Sequence, residues 1–395
     1  MLSPNRAGRY VRQPTGYRAF TPAPLPPDPP ILLDQAMIRA LSEADQAIGR
    51  LDGVARLLPN PDLFVAMYVR REAVLSSQIE GTQSTLEDVL AYELADAHAG
   101  TPRDVAEVVN YVAAMNHGLA RLESLPLSLR LIREIHEKLL TGVRGAEHQP
   151  GEFRTSQNWI GGNNRRIADA TFVPPPVYEM REALANLEQF LHEDRDYPVL
   201  IHIALAHAQF ETIHPFFDGN GRVGRLLITL LLVERGVLHS PLLYLSHYLK
   251  RHRTQYYDRL MAIRDNGDWE GWVRFFLAGV HATATEAART AQAIVRLRES
   301  HREKVRDLGP TAARLLDLLY QQPIVNVRFT AQALSLSPTT AGKVIQSLRL
   351  AGLLVESTGK ARNRQFSYEP YLRLLAEEPD GNREIVPNPD GETRG

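Results

Sequence analysis

The sequence predicts an all-α protein: a helical bundle with a single β-hairpin, followed by a small helix-turn-helix unit with a wing. Three observations predict it. Apolar residues recur at three- and four-residue steps over most of residues 32–141 and 178–306, the spacing of one buried helix face. One stretch, 150–176, breaks that pattern with glycine and asparagine at its centre. Beyond Gly309-Pro310 come three short helical patterns and two short apolar runs around a basic turn.

Composition narrows the chemistry. The chain has 395 residues, 44% hydrophobic and 23% charged, with a net charge of -1 and no cysteine. Disulfides, thiol catalysis and cysteine-held zinc are excluded, and contact with nucleic acid would need a local basic patch. Met1 to Tyr17 is polar and arginine-rich, with no apolar signal core. The longest apolar run, Leu226 to Val233, falls far short of the ~20 residues of a membrane span. A soluble cytoplasmic protein with no membrane partner is expected.

The elements follow in order. Residues 1–31 read as a proline-rich arm, because Pro22, Pro24, Pro26, Pro27, Pro29 and Pro30 favour extended polyproline geometry. A helical region at 32–122 begins with Ile38, Leu41, Ala44, Ile48 and Leu51 on one face. A second helix runs from about Asp62 to Glu80-Gly81, with glycine where a C-cap belongs. Helices are expected at about 84–98, 104–122 and 128–141. Phe153–Ile160 and Ile167–Val173 flank Gly161, Gly162, Asn163 and Asn164, which reads as a hairpin with a loose tip. Its open edges are free to pair with an extended segment of another protein. Helices resume at about 178–193, 197–213, 222–236, 246–265 and 269–306, the last long and charged. The core domain is placed at 123–307, the winged unit at 308–376 and a polar tail at 377–395.

Twelve residues concentrate the chemistry: His214-Pro215-Phe216-Phe217-Asp218-Gly219-Asn220-Gly221-Arg222-Val223-Gly224-Arg225. Gly219-Asn220-Gly221 leads into a helix, so free N–H groups and the helix dipole favour an anion there. Arg222 and Arg225 add cations suited to phosphate. Asp218 beside phosphates is placed to hold Mg²⁺, and His214 can take a proton from an attacking hydroxyl. Base, metal carboxylate and anion cradle together specify attack on a nucleoside triphosphate. His202 and His207, five apart, read as structural, and Leu226–Val233 as core packing behind the site.

The pattern His-x-Phe-x-Asp-Gly-Asn-Gly-Arg-x-x-Arg resembles the Fic family signature at His214, Phe216, Asp218, Gly219, Asn220, Gly221, Arg222 and Arg225. The resemblance spans about residues 30–280 and implies a Fic-type helical core with protein adenylyltransferase activity, ATP and Mg²⁺ being required. It implies His214 as base, Asp218 as metal ligand, and Phe216 as the loop's apolar anchor. Gly219, Asn220 and Gly221, leading on through Val223 and Gly224, would form the anion hole, and Arg222 and Arg225 would bind the β- and γ-phosphates. Trp159, Ile160, Gly161 and Gly162 resemble the tip of the family's flap, which aligns a target protein by strand pairing. Tyr256 and Tyr257 resemble tyrosines that contact the nucleoside in some relatives, against an equal case for core aromatics. Ser76-Ser77-Gln78-Ile79-Glu80-Gly81 resembles the family's inhibitory pattern in its N-terminal class. By that resemblance Ser76, Glu80 and Gly81 are regulatory, and Glu80 pairs with Arg225 so that ATP binds unproductively. Self-modification belongs to the same expectation, as do transfer of other phosphate-containing groups and AMP removal in relatives.

In the C-terminal unit, Thr339, Thr340, Lys343, Gln346, Ser347 and Arg349 lie on the expected recognition helix, and Lys360, Arg362 and Arg364 on the wing. Such a patch suits DNA, although winged helices also dock proteins and dimerise. The competing reading is therefore a nucleotide-sensing transcription regulator. A helical core with an open hairpin edge and a winged helix would also suit a homodimer.

Overall fold

The structure, a computed structural model, describes residues 6–56, 61–94, 102–162, 166–193, 197–359 and 363–376. The expected polar tail, the hairpin-tip residues Asn163 and Asn164, and the wing cations Lys360 and Arg362 lie outside them.

The all-α expectation holds. Helices α1 (Gln35–Arg56), α2 (Pro61–Ile79), α3 (Leu86–Glu93), α4 (Arg103–Leu122) and α5 (Leu129–Leu140) form the first half. Helices α6 (Val177–His192), α7 (Val199–Ile213), α8 (Asn220–Glu234), α9 (Ser246–Arg251), α10 (Arg253–Asn266) and α11 (Trp269–Val305) complete the bundle. Helix α3 opens on a capping box, with Thr85 accepting from the Asp88 N–H and Asp88 reaching back. At the centre lie α7 and α8. Leu200 to Ile213 is buried without interruption, as is Val223 to Leu232, so both helices are packed on every face. Helix α11 runs alongside α1 and spans roughly 55 Å at ~1.5 Å per residue. It is a bundle-crossing helix. Among the described residues no helix is long and apolar enough to cross a membrane.

Three expectations need correction. First, the proline-rich arm contains an antiparallel hairpin, β1 (Gly8–Arg12) and β2 (Arg18–Pro22), registered Gly8 to Pro22 through Arg12 to Arg18. The prolines follow the strands and do not interrupt them. Ala19 and Phe20 are wholly buried. Arg6 forks onto Glu270, Nη1–Oε2 at 2.8 Å and Nη2–Oε1 at 3.0 Å, and Tyr10 donates to Asp265 at 2.9 Å. Second, 150–176 is not a regular hairpin. One antiparallel bridge, Ile160 with Phe172, is formed, and a short 3₁₀ turn occupies Ile167–Asp169. The leading arm's polar groups are drawn to the loop after α7, so they do not ladder across. Arg154 N–H bonds Pro215 O at 2.9 Å, and Asn158 Nδ2 bonds Phe216 O at 2.9 Å. Third, 246–265 is two helices broken at His252, whose ring stacks on Tyr248.

The C-terminal unit comprises α12 (Pro310–Leu319), β3 (Ile324–Asn326), α13 (Val327–Leu334), α14 (Pro338–Leu350), β4 (Val355–Glu356), β5 (Gln365–Ser367) and α15 (Glu369–Ala376). The strands form an antiparallel sheet in the order β3-β5-β4. Ser337 caps α14 from the side chain, with Pro338 at its first turn. Strand β3 and helix α15 were not anticipated. Both depend on tertiary pairing, with Ile324 opposite Ser367 and Tyr371 buried against Tyr320 and Tyr368.

The Arg6–Glu270 pair gives a stability test. Breaking a buried, hydrogen-bonded pair from one side costs about 3 kcal/mol, and Glu270 also accepts the Leu32 N–H at 2.9 Å. Arg6→Ala is expected to lower the unfolding free energy by that amount, seen by circular dichroism as a lower denaturant midpoint at unchanged slope.

Candidate active site

Helix α7 ends at His214 in a left-handed conformation (φ 49°), its N–H returning to Phe210 O at 3.0 Å. Histidine is among the few non-glycine residues that tolerate this region, and the chain reverses there. Gly219, at φ 79°, starts α8, a conformation glycine adopts without Cβ strain. Between them, the Asn220 carboxamide clips the loop. Its Oδ1 accepts the Phe216 N–H and its Nδ2 donates to Phe216 O, both at 2.8 Å. That side chain is committed, so Asn220 is left with its backbone N–H to offer an anion.

Under the loop sits His136, which sequence reasoning missed. Its ring stacks on Phe216 at 3.7 Å. Nδ1 accepts the Gly151 N–H at 2.9 Å, so Nε2 carries the proton and donates to Asp218 O at 3.1 Å. Burial pushes its pKa down to about 4, which keeps this tautomer neutral. Arg154, also missed, is buried and fastens three backbone carbonyls: His214 at 3.0 Å, Ser156 at 3.2 Å and Pro175 at 2.5 Å. On an exposed reading of 150–176, neither role could be inferred.

The imidazole of His214 is partly exposed and its Nδ1 has no partner among the described residues. Burial lowers its pKa to about 3, with Arg264 and Arg154 adding to the effect. It is therefore neutral at ordinary pH. The Asp218 carboxylate is about one-third exposed and accepts the Gly219 N–H at 2.6 Å. Arg222 is buried and engaged. Its Nη1 donates to Glu107 of α4 at 3.1 Å, and its Nη2 lies 3.5 Å from Asp218 Oδ1. Arg222, expected from the resemblance to bind phosphate, thus lies between Glu107 and Asp218.

Arg225 is held by the end of α2. Nε donates to Ser76 Oγ at 2.8 Å, and Nη2 donates to Ser76 O at 3.0 Å and Glu80 Oε1 at 2.7 Å. Gly81, at φ 98°, turns the chain away immediately after. A Cβ placed on Gly221 would lie 2.3 Å from Glu80 Oε1, so the carboxylate rests against the first turn of α8. Burial alone would raise the Glu80 pKa, but the Arg225 charge and hydrogen bond outweigh it and hold it below the ordinary value. Glu211, assigned no role from sequence, is buried nearby with Oε1 unpartnered among the described residues. Burial pushes its pKa up to about 7 against the pull of Arg225.

The remaining expected residues divide. Val223 is wholly buried, and Gly224 O accepts from His207 Nδ1 at 2.9 Å, so both belong to the core. Tyr256 is also core: its hydroxyl meets His207 Nε2 at 3.0 Å, which gives His207 the structural role expected of it. Tyr257 is 38% exposed and lies within electrostatic range of Glu80 and Arg225. Trp159 and Ile160 are half-buried; Gly161 and Gly162 are exposed, both at positive φ, and close to Thr171 and Asp169 of the return arm.

Residues 38–120 match the family model described as "Fic/DOC family N-terminal", and residues 126–232 that described as "Fic/DOC family". The chain is 34% identical over 174 residues to the "Protein adenylyltransferase Fic" of Aedes aegypti, covering 43% of this chain and 31% of that protein. The protein of the same name from Drosophila grimshawi is 33% identical over 173 residues, covering 43% and 32%. The matched stretch is thus about a third of the length of these curated relatives. A crystal structure of a Fic family protein from Desulfovibrio desulfuricans G20 superposes with a TM-score of 0.57 at 22% identity, covering 86% of this chain and 97% of that one. The fold is shared. Residues 38–120 and 126–232 thus form a region similar to the Fic/DOC family, with the signature loop lying between two buried helices.

Proposed function

We propose that the chain is an ATP- and Mg²⁺-dependent protein adenylyltransferase that moves AMP onto a Ser, Thr or Tyr hydroxyl of a target protein, and that Glu80 holds it inactive. One observation carries this reading: the chain's own carboxylate sits on the first turn of α8 and is bound by Arg225. A helix N-terminus with an adjacent arginine is an anion site, and here an internal anion occupies part of it. The adenylyltransferase name of the curated relatives supports the same activity.

In the proposed reaction the target hydroxyl gives its proton to His214, its oxygen bonds the α-phosphorus of ATP, and pyrophosphate leaves as the α–β bridging bond breaks. Neutral His214 is ready to accept that proton. The N–H groups opening α8 would face the phosphates, and Arg225, once released, the γ-phosphate. Asp218 fits a Mg²⁺ ligand, because a partly exposed carboxylate beside phosphates is what this hard ion takes. Among the described residues no group of three or more metal-ligating side chains occurs, so phosphate oxygens would complete the shell. Bound there, the ion would neutralise phosphate charge. Tyr257 is the better placed of the two tyrosines to meet the nucleoside.

The target chain would pair with the outer edge at Trp159–Gly162. The inner edge is taken, because Phe20 of β2 donates its N–H to Val173 O at 2.9 Å. The division of N-terminal region from core near 122/123 is in keeping with the break between the two matched regions. Residues 308–376, with their helix, strand, helix, helix, strand, strand order closed by α15, are read as a winged helix. Its described wing cation Arg364 pairs with Glu356 at 3.3 Å, and the regulator reading draws no support from it.

The test is transfer of label from α-³²P-ATP with Mg²⁺ to protein, with mass spectrometry of treated lysate to read the added mass and the target. Label that enters protein only from γ-³²P-ATP would overturn the assignment. The pH profile checks the base. With its pKa about 3, His214 remains unprotonated as pH falls through the usual histidine range, so the rate of a Glu80→Gly variant should show no histidine limb between pH 7 and 5. An inflection near 6.5 that persists after Glu211→Gln would place the His214 proton there instead.

A further inference from the structure

Glu72 is a buried carboxyl on α2 that the proposed chemistry does not use. Its Oε1 accepts the Ser246 hydroxyl and the Tyr111 hydroxyl, the latter at 3.3 Å, and its Oε2 accepts the Ser246 N–H at 3.2 Å. Ser246 opens α9 and Tyr111 lies in α4, so one side chain joins three helices. Three neutral donors converge on it without a cation in contact, an arrangement that satisfies a buried carboxyl only if all three stay in place. Burial pushes its pKa up to about 7, with Ser246 opposing.

Position matters more than charge here. Glu72 and Ser76 share one face of α2, and Glu80, four residues further on, continues that line at the turn just past the helix end. The lower two hold Arg225; the upper one is fastened to α9 and α4. Neighbouring contacts reinforce the same register. Arg71 Nη2 reaches Glu286 of α11 at 3.2 Å and its guanidinium covers the Tyr244 ring at 4.2 Å, while Lys250 of α9 donates to Gln78 at 2.8 Å.

We infer that Glu72 is a positioning residue, a latch that sets the register of α2 so that Ser76 and Glu80 arrive together at Arg225. This rests on the adenylyltransferase reading for its consequence, but not for its geometry. Releasing the latch lets the last turn of α2 slide or fray, and Glu80 leaves the first turn of α8.

The test combines two readouts in the full chain. Glu72→Ala, and separately the milder pair Tyr111→Phe with Ser246→Ala, should raise transfer about three- to tenfold, the range that coupling between residues in one network supports. Neither should raise it further in a Glu80→Gly background. Hydrogen exchange at amides 76–81 should quicken about tenfold in both variants as that segment opens locally. Equal gains with and without Glu80, or unchanged exchange at 76–81, would overturn the latch. If Glu80→Gly itself fails to raise transfer while exchange still quickens in the latch variants, the latch stands and restraint by Glu80 falls; label entering only from γ-³²P-ATP is what overturns the adenylyltransferase reading. Should Glu72→Ala lower the melting temperature sharply, the Tyr111→Phe, Ser246→Ala pair decides, since it keeps the carboxyl and the Ser246 N–H and deletes only the two hydroxyl donors.

Discussion

Glu80→Gly should release label transfer by one to two orders of magnitude relative to the parent chain. The contact removed is a 2.7 Å charge-assisted bond to a guanidinium that is itself 1% exposed, from a carboxylate that is 34% exposed. A fully buried pair broken from one side is worth about 3–5 kcal/mol. The exposed share of Glu80 discounts that figure toward surface values. At about 1.4 kcal/mol per decade, roughly 1.5–3 kcal/mol corresponds to the stated release. Arg225 keeps its bonds to Ser76, so it remains in place with one donor free for phosphate. Initial rates with α-³²P-ATP at saturating Mg²⁺ measure the effect. A Glu80→Gly rate equal to that of the parent chain would remove Glu80 from regulation.

His214→Ala in the Glu80→Gly background should reduce transfer by about 10³-fold, within the 10²–10⁴ range of a positioned acid-base group, while leaving ATP binding within a factor of about three. The proposed phosphate site would use the N–H groups opening α8 and Arg225, with Asp218 acting through Mg²⁺, and would not draw on the imidazole. Phe216, Asn220 and Arg154 hold the loop through backbone atoms, so the turn should survive the substitution. Calorimetry of ATP binding beside the rate assay separates the two. Loss of binding in step with loss of rate would make His214 structural instead.

How much of this was legible depended on whether a residue's role is local. The loop 214–225 was readable because its glycines, cap and cations act within one turn. The pairing of Glu80 with Arg225 crosses 145 residues and came only from the resemblance to a known family. His136 and Glu107 escaped notice because each occupies an ordinary helix position, and only the fold sets them beside Asp218 and Arg222. The N-terminal hairpin failed for the opposite reason. Proline dominates the composition of 1–31, but strand formation at 8–22 is decided by burial of Ala19 and Phe20 against distant elements, which composition does not report. At 150–176 the residues had the look of a hairpin, and the polar groups that would have laddered were taken by the 214–216 backbone.

The Arg6–Glu270 fork joins residues 264 apart, and this has a consequence for biosynthesis. At about 5–20 residues per second, the ribosome delivers Glu270 roughly 13–50 s after Arg6. During that interval the β1–β2 hairpin lacks its Arg6 anchor, while Val173, Asn186 and Gln209 are already there to hold Phe20, Leu25 and Ala23. The α2 segment and the 214–225 loop are both synthesised before the wait ends, so Glu80 can engage Arg225 while the Arg6–Glu270 fork is still open. The contact proposed as the restraint, Glu80 on Arg225, is thus available to form before the Arg6–Glu270 fork closes.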